Sequence, residues 1–207
     1  MRTSIIFLAL CLTSLTLGAQ KEERYTADFR FARGVYLTID DWKANRPLRP
    51  EDIIFDAAYD SPRYFQYLLG AKQFRYNRDN EIVYVNTEDI FGYSNGEEVF
   101  YRKQYRFEII GKIGLLQEVD VVDRYTSFLT PGEQYQATRA PGTGKLFVLD
   151  YETGEFFRFK PKAVEKLLQR DPELFQQYRK AKGKKRDKAQ NFIKEYNFRH
   201  PVYFPKR

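Results

Sequence analysis

Histidine and cysteine each occur once in these 207 residues, which removes most side-chain chemistry before any fold is considered. His200 precedes Pro201, so a Ser-His-Asp triad would hang on a single base and a multi-histidine metal site is excluded. It reads as a structural or solvent-exposed histidine. Cys11 lies in the apolar N-terminal stretch, which leaves the rest of the chain without disulfides, thiol nucleophiles or cysteine metal sites. Carboxylates are abundant, and glycoside hydrolysis needs only two at the right separation. Asp28, Asp40, Asp41, Asp56, Asp60, Asp89 and Asp120 could supply such a pair, but their spacing singles out no two. Helix capping accounts for Asp41, and turn chemistry for Asp60 and Asp79. Gly142-Thr143-Gly144-Lys145 lacks the full phosphate-loop spacing and leads into a strand, so it reads as a turn. No calcium-loop pattern occurs, and no metal or cofactor is implied.

One run has physical reach. Arg179, Lys180, Lys182, Lys184, Lys185, Arg186 and Lys188 stand beside a single acid, Asp187. Charge is unevenly distributed: Gln20 to Phe157 holds 18 basic and 23 acidic residues, or −5, whereas Arg158 to Arg207 holds 16 basic and 5 acidic, or +11. Patches attract partners more than totals do. The run suits an anionic envelope component or an acidic protein, and its bland counterpart is a solvated helix face around Gly183. Aromatic residues hardly interleave with it, which argues against stacking on a single-stranded nucleic acid. The strand aromatics Phe91, Tyr93, Phe100, Tyr101, Tyr105 and Phe107 could line a ligand groove, although core and cross-strand packing is the simpler account of them.

These residues need elements to place them. Strands are expected over Lys72 to Tyr76, Glu81 to Asn86 and Glu97 to Lys103, with turns at 77–80 and Asn95-Gly96. Two further pairs follow, Tyr105 to Ile110 with Leu115 to Val122, and Lys145 to Asp150 with Glu155 to Lys160. Such short connections require antiparallel pairing. Thr38 and Asp41 form a capping pair for a short helix ending before Pro47, and Tyr64 to Leu69 fits either helix or strand. After Pro161 the apolar period changes to helical: Val164, Leu167 and Leu168, then Leu174, Phe175 and Tyr178 behind an Asp171-Pro172 cap, then Ala189, Phe192, Ile193 and Tyr196. Strands first and helices last argue an α+β fold: an antiparallel β-sheet or partial barrel followed by a C-terminal group of two or three helices.

The N-terminus begins Met1-Arg2-Thr3, continues with apolar Ile5 to Leu12 and ends on small residues, Gly18-Ala19, the pattern of a cleavable secretory signal. Cleavage after Gly18 or Ala19 is expected. The apolar stretch is shorter than the roughly 20 residues of a membrane-spanning helix. The expected organisation is a signal over residues 1–19, a mainly antiparallel β domain over 20–160, and a basic helical segment over 161–207 packed on that domain.

Gly34 to Trp42 with Asn45 and Pro47, Asp89-Ile90-Phe91-Gly92-Tyr93 before Asn95-Gly96, and Leu167-Leu168 to Leu174 before Phe192-Ile193 and Tyr196-Asn197 resemble a family of uncharacterised secreted proteins of Bacteroidetes-type Gram-negative bacteria. The resemblance implies compartment and architecture and supplies no catalytic residues. The expectation is an exported protein, periplasmic, outer-envelope-associated or secreted, that binds or scaffolds through its basic C-terminal face. A carboxylate-dependent hydrolase of envelope glycans and a ligand-binding module with an aromatic groove are the alternatives.

Overall fold

A computed structural model of the protein describes residues 21–119 and 144–206. The expected signal over residues 1–19, Asp120 and the 140–143 part of the glycine-rich turn lie outside the described residues. The chain folds as α+β, with twelve strands in three antiparallel sheets and five α-helices among the described residues. No sheet closes into a barrel there.

The largest sheet has seven strands. β2 (Gly34–Tyr36) pairs with β6 (Gly92–Ser94), followed in space by β7 (Val99–Tyr101), β8 (Tyr105–Ile109), β9 (Ile113–Glu118), β10 (Leu146–Asp150) and β11 (Phe156–Arg158). Alternation along its strands creates two apolar faces. Ile113, Leu115 and Val148 point to one side, where they pack against Val164, Leu167, Leu168, Leu174, Tyr178, Ala189, Ile193 and Tyr196 of α3 (Pro161–Leu168), α4 (Pro172–Lys180) and α5 (Lys185–Arg199). Leu116 and Leu149 point to the other side, beside Tyr101, Tyr105, Phe147 and Phe156. The basic helices are thus held on the sheet by a dry core.

Asn197 fixes α5 at a defined height. Its Oδ1 accepts from the Ile113 N–H and its Nδ2 donates to the Ile113 carbonyl, both at 2.9 Å. Gly111 makes this clamp possible, since a Cβ there would fall 2.3 Å from the Asn197 side-chain carbon.

A smaller sheet stands apart: β3 (Ile53–Ile54), β4 (Gln73–Arg78) and β5 (Glu81–Asn86), backed by α2 (Tyr64–Gly70). Asp79 and Asn80, both at positive φ, make the two-residue turn between β4 and β5. The Tyr64 to Leu69 ambiguity therefore resolves as helix. Asn95-Gly96 does turn a hairpin, but it joins β6 to β7, and the Glu81 to Asn86 strand belongs to the other sheet. β1 (Glu22–Arg24) pairs with β12 (Tyr203–Pro205), tying the two ends of the described chain together. α1 (Ile39–Lys43) carries the expected capping box, with the Thr38 hydroxyl accepting from Asp41 N–H and the Asp41 carboxylate accepting from Thr38 N–H.

Candidate functional site

The basic run occupies the junction between α4 and α5. Asp171 caps α4 by accepting from the Leu174 N–H at 3.0 Å, and Pro172 takes the first helical position. Leu174 and Tyr178, one turn apart, are fully buried, which turns Arg179 and Lys180 outward at the end of the helix. Ala181 closes α4, Gly183 turns the chain at φ +124°, and α5 begins at Lys185. Ala189, Ile193 and Tyr196 bury the inner face of α5.

Six of the seven cations, Arg179, Lys180, Lys182, Lys184, Lys185 and Arg186, are exposed, and none forms an ion pair among the described residues. Lys188 has another role. Its ammonium donates to the Ala181 carbonyl at 3.1 Å and lies 4.3 Å from the centre of the Tyr178 ring, so it holds the end of α4 against α5. Burial of the Tyr178 ring, with Glu165 beside it, pushes that phenol above its usual value, so it stays neutral. The face is a cluster of like charges held together by the helical hairpin beneath it, a geometry that raises the local potential toward an anion.

Gly183 is a point of control. A Cβ at this position would meet nothing within 4 Å, but its backbone conformation disfavours every L side chain. Gly183→Ala is therefore expected to cost about 1–3 kcal/mol through the backbone alone, measured as a lower urea midpoint.

His200, as expected of a structural histidine, is tied into the fold. Its Nε2 lies 3.0 Å from Asp171 Oδ2, and its ring is 4.5 Å from that of Tyr196. Asp171 is held below the usual carboxylate range, first by the Leu174 N–H and then, against the opposing effect of burial, by His200 and Arg199. The residue that begins α4 thus also fastens the end of α5.

The strand aromatics stack on one another and on the core. Tyr93 lies on Phe100 with ring centres 4.6 Å apart and planes at 5°, and Phe91 and Phe107 flank Trp42 at 5.3 and 5.4 Å. Among the acids, Asp41 belongs to the capping box and Asp89 accepts from Asn86, while Asp28, Asp40, Asp56 and Asp60 are exposed. A surface groove lined by Ile54, Asp56, Gln73, Arg75 and Tyr84 holds one carboxylate, where glycosidic hydrolysis needs two. No group of three or more His, Cys, Asp or Glu placed to hold a metal ion occurs among the described residues.

The spacing of the acids gives no hint of Asp150, the most completely buried carboxylate among the described residues. It accepts from both terminal nitrogens of Arg170, from the Glu152 N–H at 3.0 Å and from the Thr153 hydroxyl at 2.9 Å. Its sequence signal was only local: Asp at the end of a strand, followed by Thr153-Gly154, marks a turn that the side chain itself supports. Its arginine partner is twenty residues away, in the turn that follows α3.

No family model, curated protein or solved structure matches the chain. A functional reading therefore rests on the arrangement of its own side chains.

Proposed function

We propose that this is an exported, non-enzymatic binding protein of the Gram-negative envelope that docks on an anionic component through the α4–α5 junction. The supporting observation is the set of six exposed cations without carboxylate partners among the described residues, carried by two helices and the short connection between them, the helices' inner faces being anchored to the sheet. The signal-like N-terminus supports export. Each cation near an anionic surface contributes about 1 kcal/mol at ordinary ionic strength, so six acting together are ample for reversible association. The hydrolase reading has no comparable support, because the buried Asp150 is committed to Arg170 and the groove beside Asp56 holds one carboxylate.

Replacing Arg179, Lys180, Lys182, Lys184, Lys185 and Arg186 with glutamine tests this. In fractionated Gram-negative cells the wild-type protein is expected with the envelope and is released by raised salt, whereas the glutamine variant is expected in the soluble fraction. On vesicles containing phosphatidylglycerol its affinity should fall at least about tenfold. Its thermal midpoint should be unchanged, since all six side chains are exposed. Equal fractionation of the two proteins at every salt concentration would refute the reading.

A further inference from the structure

β5 lies at the edge of the three-stranded sheet, and among the described residues it pairs with β4 alone. At six residues it matches the longest strands among the described residues. Between its end residues stand Ile82, Val83, Tyr84 and Val85, without the lysine, proline or bulge that keeps natural edges from pairing. Ile82 and Tyr84 are 52% and 60% exposed on the outer face, while Val83 and Val85 pack inward on the core around α2. We propose that β5 is a dimerisation edge, pairing antiparallel with β5 of a second copy about a two-fold axis through Val83.

The register follows from parity and side-chain match. Two copies related by an axis normal to the sheet keep their inward side chains on one side, so an inward residue can face only an inward one. The axis must then pass through a residue. Centred on Val83, the pairing sets Ile82 of each copy opposite Tyr84 of the other, an aliphatic–aromatic cross-strand pair formed twice. Centring on Tyr84 instead sets Ile82 against Asn86, and centring on Ile82 puts Tyr84 against Asn80. Only the Val83 register gives both exposed apolar side chains an apolar partner.

The backbone phase agrees. Thr87 N–H donates to the Lys72 carbonyl at 3.0 Å, continuing the β4–β5 ladder one step beyond the Gln73 to Asn86 pair. By antiparallel alternation, Val83 and Val85 direct their amide groups to β4, and Ile82 and Tyr84 direct theirs to the open side. In the Val83 register those outward groups meet, so Ile82 and Tyr84 exchange hydrogen bonds across the axis. Val83 then faces its copy as a close, non-hydrogen-bonded pair. Two three-stranded sheets become one of six strands, in which the outer row Ile54, Arg75, Tyr84 of one copy continues into Ile82 and Asn77 of the other.

Sedimentation equilibrium of the full chain at about 100 µM, a concentration suited to an edge this short, is expected to give twice the 24.7 kDa chain mass. The Ile82→Lys, Tyr84→Lys double variant should give 24.7 kDa with an unchanged circular dichroism spectrum. In a Cys11→Ser background the chain has no other thiol, so Val83→Cys should form an interchain disulfide under mild oxidation. Non-hydrogen-bonded cross-strand Cα atoms lie about 4.5 Å apart, within disulfide reach. Asn86→Cys, which this register places opposite Asn80, should not cross-link. A wild-type chain that stays monomeric, or faster cross-linking through Asn86→Cys than through Val83→Cys, overturns the proposal.

Discussion

Replacing Arg170 with methionine is expected to destabilise the protein by about 3–5 kcal/mol at neutral pH and to reverse its response to mild acid. The Asp150 side chain is 1% exposed, whereas that of Arg170 is 33% exposed, so removal of the arginine strands the deeper charge. Methionine keeps much of the aliphatic stem, which separates the loss of charge from the loss of packing. Burial alone pushes the Asp150 carboxyl up, but the Arg170 guanidinium, the Glu152 N–H and the Thr153 hydroxyl together outweigh it and hold the group below the usual range. A carboxyl depressed in the folded state contributes stability that is complete above its unfolded value, about pH 4, and is lost as pH falls through the folded value. Asp171, also depressed, adds to the same acid-side loss. Without Arg170, burial raises Asp150 above its unfolded value, so the folded variant takes up the proton first and gains stability as pH falls toward 4. Urea midpoints at pH 7, 5.5 and 4.5 should therefore be nearly level for the wild type and rise for Arg170→Met. Parallel profiles would show that Asp150 does not depend on this partner. Adding Asp150→Asn should recover part of the loss, because the buried charge is then gone.

That pair also shows where sequence reading stops. Local devices were legible: the Thr38-Asp41 box, the Asp171-Pro172 start of α4, the Asp79-Asn80 and Asn95-Gly96 turns, and the helical period of Leu174, Tyr178, Ala189 and Ile193. Each depends on residues within a few positions of one another, where backbone preference and side-chain period act directly. The division into three sheets was not legible, because the turn after Ser94 looks the same whether its first strand is Gly92–Ser94 or the run ending at Asn86. The β1–β12 pairing joins Glu22 to Pro205 and leaves no mark in either segment. The basic run at the α4–α5 junction was visible as composition, but the separate role of Lys188 was not. That role depends on the Tyr178 ring and the Ala181 carbonyl, which only the helix crossing brings to its ammonium.

Trp42→Ala is expected to cost about 3–5 kcal/mol, comparable to the loss of Arg170 but through packing alone. Trp42 is 1% exposed. Its ring stacks on Phe31, Phe91 and Phe107, with centres 6.1, 5.3 and 5.4 Å away, and meets Tyr151 and Phe204 edge-on at 5.7 and 5.4 Å. These neighbours come from the N-terminal loop, the main sheet and the C-terminal strand, so one side chain joins segments that are otherwise distant. Alanine would leave a void bordered by rigid rings, which relax little and keep most of the cavity penalty. Phenylalanine should cost clearly less. It preserves an aromatic contact and removes an indole N–H that is buried without an acceptor among the described residues. As the only tryptophan in the chain, Trp42 reports on this cluster without interference. Its emission should be blue-shifted in the native protein and shift red in a single step on denaturation, at the same midpoint as the loss of helix. An earlier fluorescence transition would mean that the terminal β1–β12 ribbon detaches from the Trp42 core before the helices leave the main sheet, so that the two ends of the chain form a separate unit of unfolding.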